Sequence, residues 1–233
     1  LVQKGIGATN AAAFDINAAC SGFIFAMVTA TQFIENGVYK NILVIGSDTL
    51  SKVTEYQDRK TCVLFGDGAG AAILSATEEE TGVLTYTLAS DGASGDCLTL
   101  PGIRVTPEDK ERRPFGNDRT IWMDGSAVFK FAVRVMEQSS RKVVEDAGKT
   151  LEDVKLLVPH QANMRIIEGA RKRLGFSETQ VFVNVDKYGN MSAACVPIAL
   201  CEAVEEKRAE KGDLVVLSSM GGGLTWCSIL LEL

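Results

Sequence analysis

Cys20, His160 and Asn190 are the residues of this 233-residue chain whose types and settings suit covalent chemistry. Cys20 stands in FDINAACSGF, after a predicted strand and at the start of a predicted helix. There the positive helix terminus and free backbone N–H groups would lower a thiol pKa and favour the nucleophilic thiolate. His160 is the single histidine and follows VKLLVP. Pro159 ends regular pairing and hands the imidazole to the carboxyl end of a parallel strand, where open α/β sheets place ligands. Asn190, in YGNMSAA, is read as occupying in the second half of the chain the turn that Cys20 occupies in the first. Its amide could donate to a developing oxyanion. Taken singly, each has a plain reading as buried thiol, surface imidazole or turn asparagine; convergence of all three on one cleft is the expectation. Cys62, Cys97, Cys195, Cys201 and Cys227 are assigned to packing or surface. With one histidine and no clustered thiolates, no metal site is expected.

Two glycine clusters frame these residues. GDGAG at Gly66 to Gly70 precedes a predicted strand, whereas a phosphate cradle must open a helix, so dinucleotide binding is rejected. Gly221 to Gly223 precede the last predicted strand and would let bare backbone approach a reacting carbonyl.

Helical and extended signals alternate, the pattern of a mainly parallel sheet covered by helices. The apolar runs Ile42 to Gly46 and Leu214 to Ser219 predict central strands buried on both faces. Val128, Phe131, Ala132, Val135, Met136, Val143 and Val144 phase one long helix that Gly148 closes. The order strand, small-residue turn, apolar helix, strand, glycine link, strand occurs twice, from Phe14 and from Val181. About 100 residues precede the second passage and only 13 the first. The reading is therefore of two halves, 1–89 and 90–233, with the first strand-helix-strand-helix of the N-terminal half missing from this chain.

Composition narrows the class. A chain 46% apolar and 23% charged with five prolines is globular, and net charge −6 argues against general attraction to nucleic acid or anionic membrane. No stretch reaches the roughly 20 apolar residues that span a bilayer. Scattered cysteines fit reduced thiols in the cytoplasm.

FDINAACSGF, LFGDGAGAAIL, MDGSAVFKFAVRV, VPHQANMRIIEGARKRLG, KYGNMSAACVPIAL and SMGGGLTW, in this order, closely resemble β-ketoacyl-[acyl-carrier-protein] synthase III, the initiating condensing enzyme of bacterial type II fatty acid synthesis. The resemblance runs from Ala13 to the end. It implies the thiolase fold, a duplicated αβαβα layered arrangement with mixed, mainly parallel sheets, whose first βαβα segment would be the missing part, and a homodimer. It implies an acyltransferase that takes a short acyl group from acyl-coenzyme A, typically acetyl, onto Cys20. His160 and Asn190 would then stabilise the enolate formed by decarboxylation of malonyl-acyl-carrier protein, giving 3-oxoacyl-carrier protein. The N–H groups of Cys20 and Gly222 would form the oxyanion hole. Arg59, Gly125, Phe129, Ala132 and Ala162 match the coenzyme A and pantetheine channel. Gln161, Ala162, Asn163, Met164 and Arg165, with Lys130 and Lys172, match a basic surface for the acidic carrier. No cofactor is implied, since the coenzyme A thioester is itself a substrate. Two other readings stay open: a noncatalytic fragment that only dimerises or binds carrier, and a type III polyketide synthase-like enzyme. Thiolases would need a second catalytic cysteine and elongating synthases a second histidine, which a chain with one histidine lacks.

Overall fold

Among the described residues eight strands arise where the sequence is apolar or β-branched: β1 (Asn41–Thr49), β2 (Asp67–Ser75), β3 (Gly82–Ser90), β4 (Leu98–Thr99), β5 (Trp122–Met123), β6 (Val154–Pro159), β7 (Leu214–Gly221) and β8 (Thr225–Glu232). Four main helices accompany them: α1 (Gly22–Glu35), α2 (Gly125–Asp146), α3 (Met164–Leu174) and α4 (Cys195–Glu205). The computed structural model describes residues 1–79, 81–101, 111 and 119–233, which include every candidate site residue.

The central sheet has the order β3-β8-β7-β6. Its inner strands alternate between two cores. Leu156, Val158, Val215, Leu217, Ile229 and Leu231 pack with α1 and α4 on one face. Leu157, Val216 and Leu230 pack with Val143 and Val144 of α2 and Ile167 and Leu174 of α3 on the other. Both faces are covered, so successive side chains are apolar without alternation. Beyond α1 and α4, β1 and β2 form a second, two-stranded sheet whose inner residues Ile42, Val44, Ala72 and Leu74 join the first core. Helices, sheet, helices and sheet thus make four of the five layers of an αβαβα arrangement.

Several expectations are corrected. Among the described residues the one parallel ladder is β6–β7; β1–β2, β3–β8, β4–β5 and β7–β8 are antiparallel. The reason is connection length: the Gly222–Leu224 turn folds β8 straight back onto β7, a hairpin that leaves no crossover. β1 is buried on one face only, with Leu43 42% and Ile45 40% exposed beside Ile73 on β2. Phe14 to Asn17 form no strand, because nothing among the described residues pairs with them, and VFVNV contributes only a parallel bridge between Val181 and Leu157. α4 ends at Glu205 rather than near Ala209. β3 hydrogen-bonds to β8 and so belongs to the central sheet.

The GDGAG run has a packing purpose. A Cβ on Gly68 would lie 2.5 Å from the Met191 sulfur, and one on Gly70 2.9 Å from Pro197, so bare backbone lets β2 lie flush on α4.

Candidate active site

Cys20 sits in a 3₁₀ turn, Ala19–Ser21, that runs into α1. Ala19 takes the left-handed conformation (φ 48°), and its N–H donates to Asn17 Oδ1 at 3.1 Å. The Cys20 carbonyl accepts the Ser219 hydroxyl at 2.8 Å, tying the turn to β7. Its N–H donates to no other residue among the described residues and faces Gly221, where a Cβ would stand 2.6 Å from the nitrogen. That glycine is required: any side chain would cover the amide.

Asn190 enters from the opposite side. Its N–H donates to Leu64 O (2.7 Å) and its carbonyl accepts from Gly66 N–H (2.8 Å), so the start of the GDGAG run also clamps this turn. The side-chain oxygen accepts the Ser192 N–H at 2.8 Å and the Cys195 thiol at 3.8 Å. With two donors on Oδ1, the amide nitrogen is the end left to serve the cavity, where the side chain helps hold the Cys20 thiol pKa down against burial.

His160 follows β6, and its N–H extends the parallel ladder to Ser218 O at 2.7 Å. The ring is 1% exposed and its Nδ1 has no hydrogen-bond partner. Burial pushes its pKa down to about 4, so the imidazole is neutral at pH 7.

Cys20, His160, Asn190 and Gly222 line one cavity of about 980 Å³. Gly125, Phe129, Ala162, Asn163, Met164 and Arg165 are on the same wall, with the Arg165 guanidinium 5.4 Å above the Phe129 ring. Ala132 is instead wholly buried behind it, and Arg59 is exposed off the wall while its neighbour Lys60 is on it. Lys130, Met164, Arg165 and Lys172 are exposed.

Gln161 is not a surface residue. It is 0% exposed; its Nε2 donates to Pro159 O and Phe182 O, and its Oε1 accepts the N–H groups of Asn184 and Val185. The side chain braces the His160 strand end against the passage leading to Asn190. Docking by Gln161 is therefore overturned, since every polar atom of the amide is already used inside the fold.

The thiolate expectation is corrected as well. The Cys20 thiol is pushed up to about 11, chiefly by burial and further by the Asp48 charge, against hydrogen bonds from Ser192, its own N–H and Asn190. Desolvation of the anion outweighs the donors around it. The resting cysteine is a thiol.

Equivalence of the two turns is also revised. α1 and α4 begin at Gly22 and Cys195, and β1 and β7 at Asn41 and Leu214, each 173 positions apart. By that step Cys20 corresponds to Ala193, and Asn190 to Asn17. Sequence reading missed Ser192 and Asp48, both on the cavity wall. Asp48 had a usable signal, a carboxylate at the carboxyl end of an apolar strand; Ser192 had none.

Comparison with known proteins identifies the family. Residues 14–92 match the model for 3-oxoacyl-[acyl-carrier-protein] synthase III, and residues 144–233 match that for its C-terminal part. The β-ketoacyl-[acyl-carrier-protein] synthase III of Desulfitobacterium hafniense is 51% identical over 97% of this chain and 68% of the relative. That of Clostridioides difficile is 52% identical over 97% and 69%. Among solved structures, 3-oxoacyl-[acyl-carrier-protein] synthase III from Aquifex aeolicus superposes with a TM-score of 0.91 at 44% identity, covering 100% of this chain and 70% of the other. The Thermus thermophilus counterpart gives 0.93 at 42%, covering 100% and 71%.

Proposed function

Because the chain belongs to the 3-oxoacyl-[acyl-carrier-protein] synthase III family, we propose that it joins a short acyl group from acyl-coenzyme A, acetyl in the first instance, to malonyl-acyl-carrier protein, the initiating step of type II fatty acid synthesis. It is an acyltransferase of the condensing class. The observation that carries the mechanism is the meeting of Cys20, His160 and Asn190 on one cavity, with the Cys20 N–H left open by Gly221.

In the first half-reaction the Cys20 sulfur attacks the acyl carbon and coenzyme A leaves as its thiol, the proton passing from one sulfur to the other. The Cys20 N–H and that of Gly222 hold the tetrahedral oxyanion. In the second, the bond from the malonyl α-carbon to its carboxylate breaks and carbon dioxide departs. The electron pair becomes an enolate, and its oxygen takes hydrogen bonds from the neutral imidazole of His160 and the amide of Asn190. The α-carbon then displaces Cys20 from the acyl group, and the thiolate regains a proton from water. A charged group in place of either donor would defeat this: an imidazolium would be costly in so dry a pocket, and a carboxylate would repel the enolate.

Gly125, Phe129, Ala162 and Arg165 fit the pantetheine path on the cavity wall. Met164, Arg165, Lys130 and Lys172 fit a carrier surface; Arg171 is spent on Glu168 and Phe176 O. The proposal extends to a homodimer, supported by the uncovered apolar face of Leu43, Ile45 and Ile73, and to the cytoplasm, supported by six unpaired cysteines. It needs no cofactor. No helix among the described residues is long and apolar enough to cross a membrane.

Labelled acetyl-coenzyme A tests the reading. Label is expected on the wild type and absent from Cys20→Ser. A folded wild type that takes no label would favour a noncatalytic role in dimerisation or carrier binding.

A further inference from the structure

Ser192 stands between the nucleophile and the carboxamide. It lines the same cavity as Cys20 and Asn190 at 5% exposure, its N–H is held by Asn190 Oδ1 at 2.8 Å, and its side chain holds the Cys20 thiol pKa down against burial. Its backbone is left-handed, φ 52°, which costs a residue other than glycine about 1–2 kcal/mol. The corresponding residue in the other half, Ala19, has φ 48°. The frame of these turns therefore demands a left-handed residue at this place but no hydroxyl, since alanine meets the same demand. The neighbouring Ala193 N–H is clamped by Asp48 Oδ2 at 3.0 Å. A buried hydroxyl that the turn does not need, on the cavity wall that also holds the reacting sulfur, calls for a chemical role.

We propose that Ser192 is a catalytic residue of the acylation step, its hydroxyl donating a hydrogen bond to the Cys20 sulfur as that sulfur becomes negatively charged. This rests on the reading of Cys20 as the acyl acceptor. The Ser192 proton is shared and not transferred: the Cys20 sulfur bonds to the acyl carbon, the bond from that carbon to the coenzyme A sulfur breaks, and the thiol proton ends on coenzyme A. Other titratable groups around the sulfur are Asp48 at the end of β1, His160 after β6, Cys195 at the start of α4, and Lys60 and Arg165 on the same cavity wall. None of them is changed by the test.

Ser192→Ala and Ser192→Gly both remove the hydroxyl, and the glycine variant also relieves the left-handed backbone, so folding is protected in at least one. The probe is iodoacetamide on the full chain, followed by mass spectrometry of the Cys20 peptide across pH. Both variants should move the Cys20 profile to higher pH and slow alkylation at pH 8 about tenfold, one pKa unit. Acylation by acetyl-coenzyme A should fall in parallel. Malonyl decarboxylation, which needs the Ser192 N–H and not its hydroxyl, should fall far less. An unmoved alkylation profile, or equal loss of acylation and decarboxylation, would overturn the assignment. If the wild type alkylates at Cys20 but takes no acyl label, the parent reading fails instead.

Discussion

The turn before α1 and the turn before α4 are built on one frame and put to opposite uses. In each, an asparagine oxygen accepts the N–H two residues on, at 3.1 Å for Asn17 and 2.8 Å for Asn190. A left-handed residue follows, Ala19 or Ser192, and a 3₁₀ turn then opens a helix. The strands passing beneath decide the difference. In the first turn Gly221 leaves the Cys20 N–H bare, and Ser219 anchors the Cys20 carbonyl. In the second, at the positions related by the same 173-residue step, Asp48 fills the Ala193 N–H, and Gly46 comes so close to the Ala193 carbonyl that a Cβ would collide. One copy offers a thiol beside an open amide. The other has no nucleophile and a plugged amide, and contributes Asn190 and Ser192 instead. A duplicated frame thus becomes an asymmetric site by exchanging glycine and aspartate at two strand ends.

The comparison breaks most visibly at Gly221. Gly221→Ala would cover the open amide as Asp48 covers its twin, and acylation should fall on the order of 10²–10³-fold, the cost of losing an oxyanion donor. Acyl transfer to Cys20 measures this, and retained acylation would remove the amide from the mechanism.

His160 lines the cavity that both turns share, and its titration reports how dry its surroundings are. Its folded value of about 4 lies below the ordinary 6.5, so the unfolded chain binds the extra proton between these limits. Stability from this group is fully present above about pH 6.5 and is lost as pH falls toward 4, on the order of 3 kcal/mol in all. Urea titrations of wild type against His160→Gln should show that increment missing from the variant.

Asn190 and Asn17 separate frame from function. Asn190→Ala should lower malonyl decarboxylation about 10²-fold. Asn17→Ala should leave it within about twofold, the range of an exposed substitution. Equal effects would mean that the two asparagines serve only their turns. A small change of opposite sign is expected from Asp48→Asn, which can still accept the Ala193 N–H but removes a charge that raises the Cys20 pKa. The thiol value should fall and alkylation at pH 8 should rise about threefold, half a pKa unit.

Much of this was readable from the letters. The runs at Val154 to Pro159, Leu214 to Ser219 and Ser228 to Leu233 announce strands because both faces are covered and most of their residues are apolar. The phased helix from Val128 to Val144 and the three candidate residues at element ends were legible for the same local reason. Less was legible where a partner element decides. Phe14 to Asn17 look extended but pair with nothing among the described residues, and Gln161 falls in a segment that resembles a carrier-docking surface yet is consumed by four internal hydrogen bonds.

By itself, the sequence determined which residue types were available for chemistry, the order of the elements and the fact of duplication, because these follow from short-range periodicity and from counting. Only the tertiary structure decided that the sulfur rests as a thiol, that Asn17 and not Cys20 is the twin of Asn190, and that Ser192 shares the cavity of the nucleophile. Each of those depends on burial and on groups 28 to 201 positions away along the chain, from Asp48 to Gly221 seen from Cys20. Desolvation and amide occupancy are properties of what surrounds a residue in space, and no local pattern carries them.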